Sequence, residues 1–342
     1  MMRHELISLS GAVLLAGATA CGSSRSDPPA VSSPATIEQR LAALPTELWL
    51  ADSSLHVVNL YRLEGLALAE TNGRPRPEVV ERLVRDVYVP YAAFWKGYLG
   101  GETDFREWAA GQLLAPDHPV RTRMAALLDV GLDRRFIDGT EWIRRTTGGK
   151  PRGTWYIVFG PGWTDMGGLH DIGMVADFTK MQPDAEAIAA LLPHELTHQV
   201  HGGSPGRVND PDRGTVLDRI VSEGFASYVA WVYGRGRRTP AQALMYPEAG
   251  WAWALAHEAE LRAAATPLLQ SKRREDIDLV SNRSEHLVPG SPGADGYFLG
   301  YRLVEAYVAK RGRDSWKEIY DLPVGRVVER ACGEGLCAPL RR

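Results

Sequence analysis

The chain has 342 residues, a formal net charge of −3, 24% charged residues and 44% hydrophobic residues. This hydrophobic content is ordinary for a globular protein with a buried core, and it excludes disorder over most of the length. The near-neutral charge argues against a nucleic-acid-binding protein, which usually carries an excess of Lys and Arg. We therefore expect one large or two modest folded domains and no nucleic-acid partner.

Residues 1–20 have the pattern of a signal peptide. Their apolar run, over residues 6–20, is shorter than a bilayer-spanning helix, which needs about 20 apolar residues, and it ends in small residues. The sequence Ala-Thr-Ala-Cys-Gly at residues 18–22 resembles a bacterial lipobox, in which the Cys thiol carries a diacylglycerol. We expect lipidation at Cys21, and a plain signal peptide cut near Ala20 is the alternative.

Residues 21–35 are predicted to be a flexible tether. Ser and Pro dominate this segment, and it lacks the apolar residues that could build a core. Gly22, in place of Asp after the Cys, resembles the sorting signal of an outer-membrane lipoprotein. We therefore expect an exported protein that is lipid-anchored to the cell envelope, at the outer membrane or the periplasmic face.

The other two cysteines are predicted to form a disulfide. An exported compartment permits disulfides, and Cys332-Gly-Glu-Gly-Leu-Cys337 contains two Gly residues that allow a tight loop. Half of a zinc site is the rival interpretation, but such a pair needs a second pair, which the sequence lacks. The predicted disulfide would restrain the C-terminal tail.

Residues 36–150 are predicted to be a helical N-terminal region. The segment 78–98 carries apolar residues at a 3.6-residue spacing, and Pro90 should kink or split this helix. A second helix should run to residue 113 with Thr103 or Asp104 as its cap. Two further helices are expected over residues 119–132 and 133–145.

The spacing of apolar residues along the sequence changes after residue 150. Residues 154–159 are rich in β-branched and aromatic side chains and lie between two Gly, which predicts a strand, and residues 172–178 predict another. Helices are expected over residues 184–201, 216–233, 248–269, 295–311 and 314–330. No Pro/Ser linker follows residue 36, so we expect one catalytic domain of mainly α class with a small β-sheet (α+β).

The most informative residues are Pro193-His194-Glu195-Leu196-Thr197-His198. Two His four positions apart lie on one face of a helix, so their imidazoles can converge on one zinc ion. Glu195 lies about 100° round the helix from His194. It can therefore reach a water on the open zinc position and act as general base without ligating the metal. A surface helix with two incidental His is the alternative, and Pro193 removes one backbone bond, a modest strain that the fold must absorb.

A third ligand must come from elsewhere. The extended motif H-E-x-x-H-x-x-G-x-x-H fails, because His201 stands at its Gly position and Ser204 at its last His. We expect His201 either beside the ligands or simply at the favourable C-terminal end of the helix. A carboxylate on a second, antiparallel helix is the remaining choice, and Glu223 in Ser-Glu-Gly-Phe-Ala follows 25 residues after His198. The small Gly224 should let the two helices approach closely.

The paired motifs H-E-x-x-H and E-G-F-A resemble those of the gluzincins, the thermolysin-like and aminopeptidase-like zinc metallopeptidases. The chain is similar, over roughly residues 150–330, to the predicted zinc-dependent proteases of bacteria. Weaker similarities are a Gly-rich strand segment before the zinc helix, Gly167-Gly168-Leu169, and a late Gly-Tyr helix, Gly296-Tyr297-Phe298-Leu299-Gly300-Tyr301. The resemblance implies a zincin-like catalytic core in residues 151–342 beside the helical N-terminal half. It also implies one Zn²⁺ per chain, held by His194, His198 and Glu223, with Glu195 as the base.

Several neighbours are candidates for supporting roles. Oxyanion stabilisation needs a donor, and Tyr297 or Tyr301, one turn apart, could supply it, although buried aromatics are usually core residues. Asp218 and Ser227 could orient a ligand on the Glu223 helix. The strand over residues 172–178 could bind substrate backbone by strand addition, or it could be an ordinary buried strand.

The sequence therefore predicts a zinc metallopeptidase that acts on a peptide or protein substrate. Two alternatives stay open. One is a non-enzymatic cell-surface lipoprotein with a structural or vestigial zinc site, although a structural zinc usually has four protein ligands. The other is a zinc hydrolase that acts on a non-peptide amide.

Overall fold

The computed structural model describes residues 35–69, 76–169, 171–234 and 237–332. The contacts from Thr36 onward form one compact unit. None of the helices in these ranges combines the length and the apolar character needed to cross a membrane. The predicted signal peptide and nearly all of the predicted tether lie outside the described residues.

The cysteines are described only in part. Cys332 is buried and is disulfide-bonded. Cys21 and Cys337 lie outside the described residues, so the lipidation and the pairing with Cys337 stay predictions.

The first half of the described chain contains seven α-helices and two strands. Their bounds are α1 Ile37–Ala43, β1 Glu47–Leu50, β2 Leu55–Asn59, α2 Leu60–Ala69, α3 Arg76–Leu83, α4 Ala92–Tyr98, α5 Glu102–Trp108, α6 Val120–Val130 and α7 Leu132–Thr147. Short π-helical segments lie at Val84–Tyr88 and Ala109–Leu113, and a 3₁₀ turn lies at Val89–Tyr91.

The second half of the described chain contains three strands and nine α-helices. Their bounds are β3 Gly153–Val158, β4 Met166–Leu169, β5 Gly173–Asp177, α8 Ala185–His201, α9 Pro205–Val208, α10 Val216–Tyr233, α11 Pro240–Ala243, α12 Glu248–Ala256, α13 Glu258–Ala265, α14 Arg274–Ser281, α15 Asp295–Arg311 and α16 Val324–Ala331. Two 3₁₀ segments lie at Thr266–Leu268 and Ser315–Asp321.

The five strands form one mixed sheet in the order β1-β2-β3-β5-β4. The pairs β2–β3 and β3–β5 are parallel, whereas β1–β2 and β4–β5 are antiparallel. The predicted class, mainly α with a small β-sheet, is confirmed. Because β1 and β4 are the two outer strands, each has one edge that pairs with no other strand of the described residues.

The helical prediction for residues 36–150 was incomplete, because β1 and β2 lie within this range. Each strand has only four or five residues, and such short apolar runs cannot be told from helix by periodicity. Their connecting turn also lacks glycine: Ala51, Asp52 and Ser53 all adopt positive φ. The usual sequence signal for a hairpin was therefore absent. The Gly-rich strand segment that the family resemblance implies at Gly167-Gly168-Leu169 is confirmed as part of β4.

The predicted helix over residues 78–98 is interrupted where expected. The α-helical geometry ends at Leu83, passes through the π-helical and 3₁₀ segments around Pro90, and resumes at Ala92. The predicted cap of the next helix was wrong. Gly101 is the N-cap of α5, and Asp104 instead accepts a hydrogen bond from the backbone N–H of Gly101 at 2.7 Å.

Two hydrophobic clusters fill the interior. The first extends along the chain from Leu41 to Leu196 and includes the sheet, and the second extends from Val216 to Cys332. The helix α8 contributes Ile188, Leu192 and Leu196 to the first cluster. Its opposite face is turned toward α10, which begins the second cluster, and this boundary is where the predicted metal ligands lie.

Candidate metal centre

Local sequence explains why α8 is a helix despite an internal proline. Asp184 caps its N-terminus by accepting a hydrogen bond from the backbone N–H of Ala187 at 2.7 Å. Pro193 cannot donate to the carbonyl of Ala189, four residues earlier. Nη1 of Arg238 donates to that carbonyl at 2.9 Å and replaces the missing bond. The helix therefore continues through the residues that carry the motif.

The helix α10 supplies the third candidate ligand. Thr215 caps it by accepting a hydrogen bond from the backbone N–H of Asp218. His194 contacts Glu223 and Ser227, whereas His198 contacts Ser222 and Glu223. Later residues of α8 thus meet earlier residues of α10, so the two helices are antiparallel.

Three side chains from these helices converge on one point. Nε2 of His194 lies 3.1 Å from Oε2 of Glu223. Nε2 of His198 lies 3.2 Å from the same oxygen and 3.1 Å from Nε2 of His194. The three atoms therefore form a nearly equilateral triangle, and all three donor atoms face one another.

This triangle fits a zinc ion. Zinc with tetrahedral donors at about 2.0–2.1 Å places those donors roughly 3.3 Å apart, close to the separations observed. Two imidazoles and one carboxylate are also the donor set of a known type of catalytic zinc site, which leaves a fourth position for water. Within the described ranges, these three side chains form the group whose ligand atoms could hold one ion.

The environment keeps Glu223 ionised. Its burial opposes the charge, but the charge of His198 and hydrogen bonds from both imidazoles hold the pKa of Glu223 well below its usual range. Its second oxygen, Oε1, accepts a hydrogen bond from Nη1 of Arg219 at 2.7 Å. One carboxylate oxygen is thus fixed by an arginine that sequence reasoning missed, and the other faces the imidazoles.

Two serines hold the imidazoles from behind. Ser222 Oγ lies 3.3 Å from Nδ1 of His198, and Ser227 Oγ lies 3.4 Å from Nδ1 of His194. When Nδ1 of each ring donates to its serine, Nε2 keeps the lone pair that a metal needs. Ser227 has the orienting position expected of it, and Ser222 was missed although it directly precedes Glu223.

Asp218 does not have the orienting role proposed for it. Its carboxylate pairs with Arg207 and accepts a hydrogen bond from the backbone N–H of Gly214. His201 does not touch the three ligands either. It is buried against the rings of Phe225 and Tyr320, and burial holds its pKa well below the usual value. His201 is the last residue of α8, so the other expectation, a position at the C-terminal end of the helix, is confirmed.

Glu195 lies beside the triangle without belonging to it. It is partly buried, and its carboxylate makes no hydrogen bond with any residue in the described ranges. Burial raises its pKa, the charges of His194 and His198 lower it, and the nearby Glu223 and Asp165 raise it further. A carboxylate whose pKa is raised is better suited to accept a proton.

Tyr297 packs against one of the candidate ligands. Its ring stacks on the imidazole of His194, with 5.7 Å between ring centroids and 7° between ring planes. Burial, followed by the charges of Glu223 and Glu195, holds the pKa of Tyr297 well above its ordinary value, so its phenol remains a donor. Tyr301, the other candidate, is fully buried among aromatic rings, including those of Tyr228 and Trp251.

The small residues near Glu223 serve a different contact from the one expected. Gly224 packs against α15, where a Cβ on Gly224 would lie only 2.0 Å from the backbone of Gly300. The expectation that Gly224 lets α10 approach α8 was therefore wrong. The Gly224–Gly300 contact instead brings α15, and with it Tyr297, against the ligand helices.

The strand beside the site differs from the one proposed. The strand β5, predicted over residues 172–178, pairs with a neighbour on each side, so its edges are not free to bind a substrate. The strand β4 is the outer one. Asp165, whose charge acts on Glu195, directly precedes it, so the start of β4 lies near the candidate base.

Comparison with known proteins gives one similarity. No curated protein and no solved structure matches this chain. Residues 160–329 include all the candidate metal ligands, Glu195 and Tyr297. This stretch matches the model of the family described as "Predicted Zn-dependent protease (DUF2268)", which supports a zinc protease family for this region.

Proposed function

We propose that this protein is a zinc-dependent metallopeptidase of gluzincin type. The observation that carries the proposal is the triangle formed by His194, His198 and Glu223, with Glu195 close to it but outside the donor set. A structural zinc site usually has four protein ligands, whereas this group has three. The family similarity of residues 160–329 supports the same activity.

The chain's own residues account for the steps of hydrolysis. Zinc, when bound, lowers the pKa of water and polarises a carbonyl. Glu195 accepts the proton of the attacking water at a carboxylate oxygen and passes it to the leaving nitrogen. The phenol of Tyr297 donates a hydrogen bond to the oxygen that becomes negative. Ser222 and Ser227 hold the imidazoles in the required orientation.

The free edge of β4 is the proposed site for the substrate backbone. An extended peptide can add to an exposed strand through main-chain hydrogen bonds, and β4 is an outer strand whose start lies near Glu195. This placement would bring a peptide bond beside the base.

The decisive experiment is a peptide-library digestion by the zinc-loaded protein, analysed by mass spectrometry. We expect cleavage that a chelator abolishes, that added zinc restores and that Glu195→Gln lacks. Near-normal cleavage of a confirmed substrate by Glu195→Gln would contradict the proposed mechanism. A protein that binds zinc but cleaves no peptide would favour the non-enzymatic lipoprotein or the amidase.

The proposed cell-envelope location depends on Cys21. The lipobox-like sequence and the Ser/Pro-rich residues 21–35 support lipidation there. Mass spectrometry of the mature N-terminus should find a diacylglyceryl group on Cys21. An unmodified Cys21 in membrane-extracted protein would reject the anchor and leave the enzymatic proposal unaffected.

A further inference from the structure

A small cavity adjoins the candidate metal centre. Its volume is about 230 Å³. Ser222 and Arg219 both line it, and both touch ligands: Ser222 lies 3.3 Å from Nδ1 of His198, and Arg219 bonds to Glu223. The cavity is smaller than the roughly 300–1,000 Å³ of a typical small-molecule site. It therefore suits a single side chain or a chain terminus better than a whole ligand.

The charges in this cavity are unevenly neutralised. Three arginines line it, and Arg207 among them is buried and paired with Asp210 and Asp218. Asp218 is the acidic residue of the lining, and it is already occupied by Arg207 and by the N–H of Gly214. Arg207 with its two carboxylates carries a formal charge of −1, so Arg207 has no positive charge left for an incoming anion.

Arg213 and Arg219 keep most of their donors available. Within the described ranges, the side chain of Arg213 makes one hydrogen bond, to the carbonyl of Val208 at 3.4 Å. Arg219 uses Nη1 for Glu223, and 45% of its side chain is exposed. Each guanidinium has five N–H donors, so both have several left for an incoming anion.

The start of α10 does not compete for this role. The backbone N–H of Val216 donates to Ser271, that of Leu217 to Leu269, and that of Asp218 to Thr215. These donors are satisfied, so binding of an anion here would depend on the guanidinium groups.

We propose that this cavity binds a carboxylate of the peptide substrate through Arg213 and Arg219. The proposal rests on the proposed peptidase function and names its substrate class: peptides that carry a carboxylate close to the scissile bond. That carboxylate belongs either to an acidic side chain or to the chain terminus. Arginine forks match the planar, two-oxygen geometry of carboxylates, which is why the group is recognised.

The test uses probes that attach to zinc and reach toward the cavity. The monohydroxamates of succinic, glutaric and adipic acid are titrated into zinc-loaded protein, each against its analogue with a terminal amide in place of the carboxylate. We expect the best carboxylate to bind roughly tenfold more tightly than its amide, as a charge-assisted hydrogen bond allows. This preference should shrink at high salt, since Arg213 and Arg219 are exposed.

Variants assign the preference to the cavity. Arg213→Gln should reduce the ratio of carboxylate affinity to amide affinity toward one. It should leave the affinity for the amides and the zinc content unchanged. Arg145→Gln is the matched control, because its side chain is 68% exposed on α7 and outside the cavity. No preference at any chain length, or a full preference in Arg213→Gln, would overturn the proposal.

A second probe separates this proposal from the proposed function. Glutarate and its monoamide are titrated into zinc-free protein by NMR. If the hydroxamates fail to bind because no zinc is held, the peptidase proposal fails, while glutarate still tests the cavity. If glutarate binds more tightly than its monoamide and Arg213→Gln abolishes this difference, the result would support carboxylate binding in the cavity. Equal binding of the two compounds would overturn the proposal.

Matched peptides identify the source of the carboxylate. Four peptides that differ in Glu against Gln and in a free against an amidated C-terminus are bound to zinc-loaded Glu195→Gln protein. Tighter binding of the Glu peptides than of the Gln peptides indicates that an acidic side chain is recognised. Tighter binding of the peptides with a free C-terminus indicates a carboxypeptidase-like site. Discrimination by neither would contradict the proposal.

Discussion

Gly224 and Gly300 are in direct backbone contact where α10 crosses α15. A Cβ on Gly224 would lie 2.0 Å from the carbonyl carbon of Gly300, a distance that real Cβ atoms do not reach. Tyr297 lies three residues before Gly300 on α15, and its ring stacks on His194. The spacing of these two helices therefore sets the position of the proposed oxyanion donor against a metal ligand.

Gly224→Ala should therefore lower the free energy of unfolding by about 1–3 kcal/mol, the usual cost of overpacking. Urea unfolding followed by circular dichroism measures this. Gly111→Ala is the control, because a Cβ at Gly111 meets nothing within 4 Å. Equal stability of Gly224→Ala and wild type would mean that the helices can separate without cost.

The Arg238–Ala189 hydrogen bond should stabilise the motif helix. The substitution Arg238→Ala removes the donor to the carbonyl of Ala189, to which Pro193 cannot donate. We expect a loss of about 1–3 kcal/mol in the free energy of unfolding. Pro193→Ala restores a backbone N–H, so Arg238→Ala should cost less in that background. Additive effects in this double-mutant cycle would show that Arg238 does not compensate for Pro193.

A buried carboxyl should make stability depend on pH. Glu64 is fully buried, and burial raises its pKa to about 8, although the N–H of Phe159 donates to it. The folded protein then holds one more proton than the unfolded chain between about pH 4.5 and 8. This contribution to stability is complete below about pH 4.5 and is lost as the pH rises through 8.

Glu64→Gln should therefore flatten the pH profile of stability. The free energy of unfolding of wild type should fall between pH 5 and 8 by up to about 1.4 kcal/mol per pH unit more than that of the variant. Urea unfolding at pH 5, 7 and 9 measures the difference, with exposed Glu38→Gln as control. Parallel curves for wild type and Glu64→Gln would contradict a raised pKa at this carboxyl.

The two serines should tune metal affinity without being ligands. Ser222→Ala and Ser227→Ala each remove the partner of one imidazole Nδ1, and we expect zinc affinity to fall roughly 10–100-fold. Competition with a fluorescent chelator measures the affinity. Unchanged affinity in both variants would mean that the imidazoles are held by packing alone.

The sequence predicted the parts of this site that depend on local spacing. The bounds of α8 and α10 follow from helical periodicity and caps, and the i, i+4 spacing placed His194 and His198 together. What it could not predict depends on how distant segments pack. The contact of Gly224 with Gly300 leaves no signal in a single sequence. The bond from Arg219 to Glu223, by contrast, is an i,i+4 pair on α10 that the spacing offered and that sequence reasoning overlooked.

The sheet was the least predictable part of the fold. The strands β1 and β2 are too short for a periodic signal, and their turn uses non-glycine residues at positive φ. Strand order depends on long-range pairing, so the sequence could not decide whether residues 172–178 form a substrate-binding strand or an ordinary buried one. The strand β5 has a neighbour on each side, as the second alternative requires. The family resemblance implied the Gly-rich strand segment in β4, but it gave no information on β1 and β2, because they precede the stretch that it covers.

The most direct test of the account is the zinc content and peptidase activity of Glu195→Gln beside Glu223→Gln. Wild type and Glu195→Gln should each hold one zinc per chain by elemental analysis, and Glu195→Gln should lose activity by about 10²–10⁴-fold. Glu223→Gln should lose zinc, since an amide is a poorer ligand. Glu186→Gln on the same helix, with 79% of its side chain exposed, should match wild type. Wild type without stoichiometric zinc after reconstitution, or a Glu195→Gln protein that loses its zinc, would contradict the proposed roles.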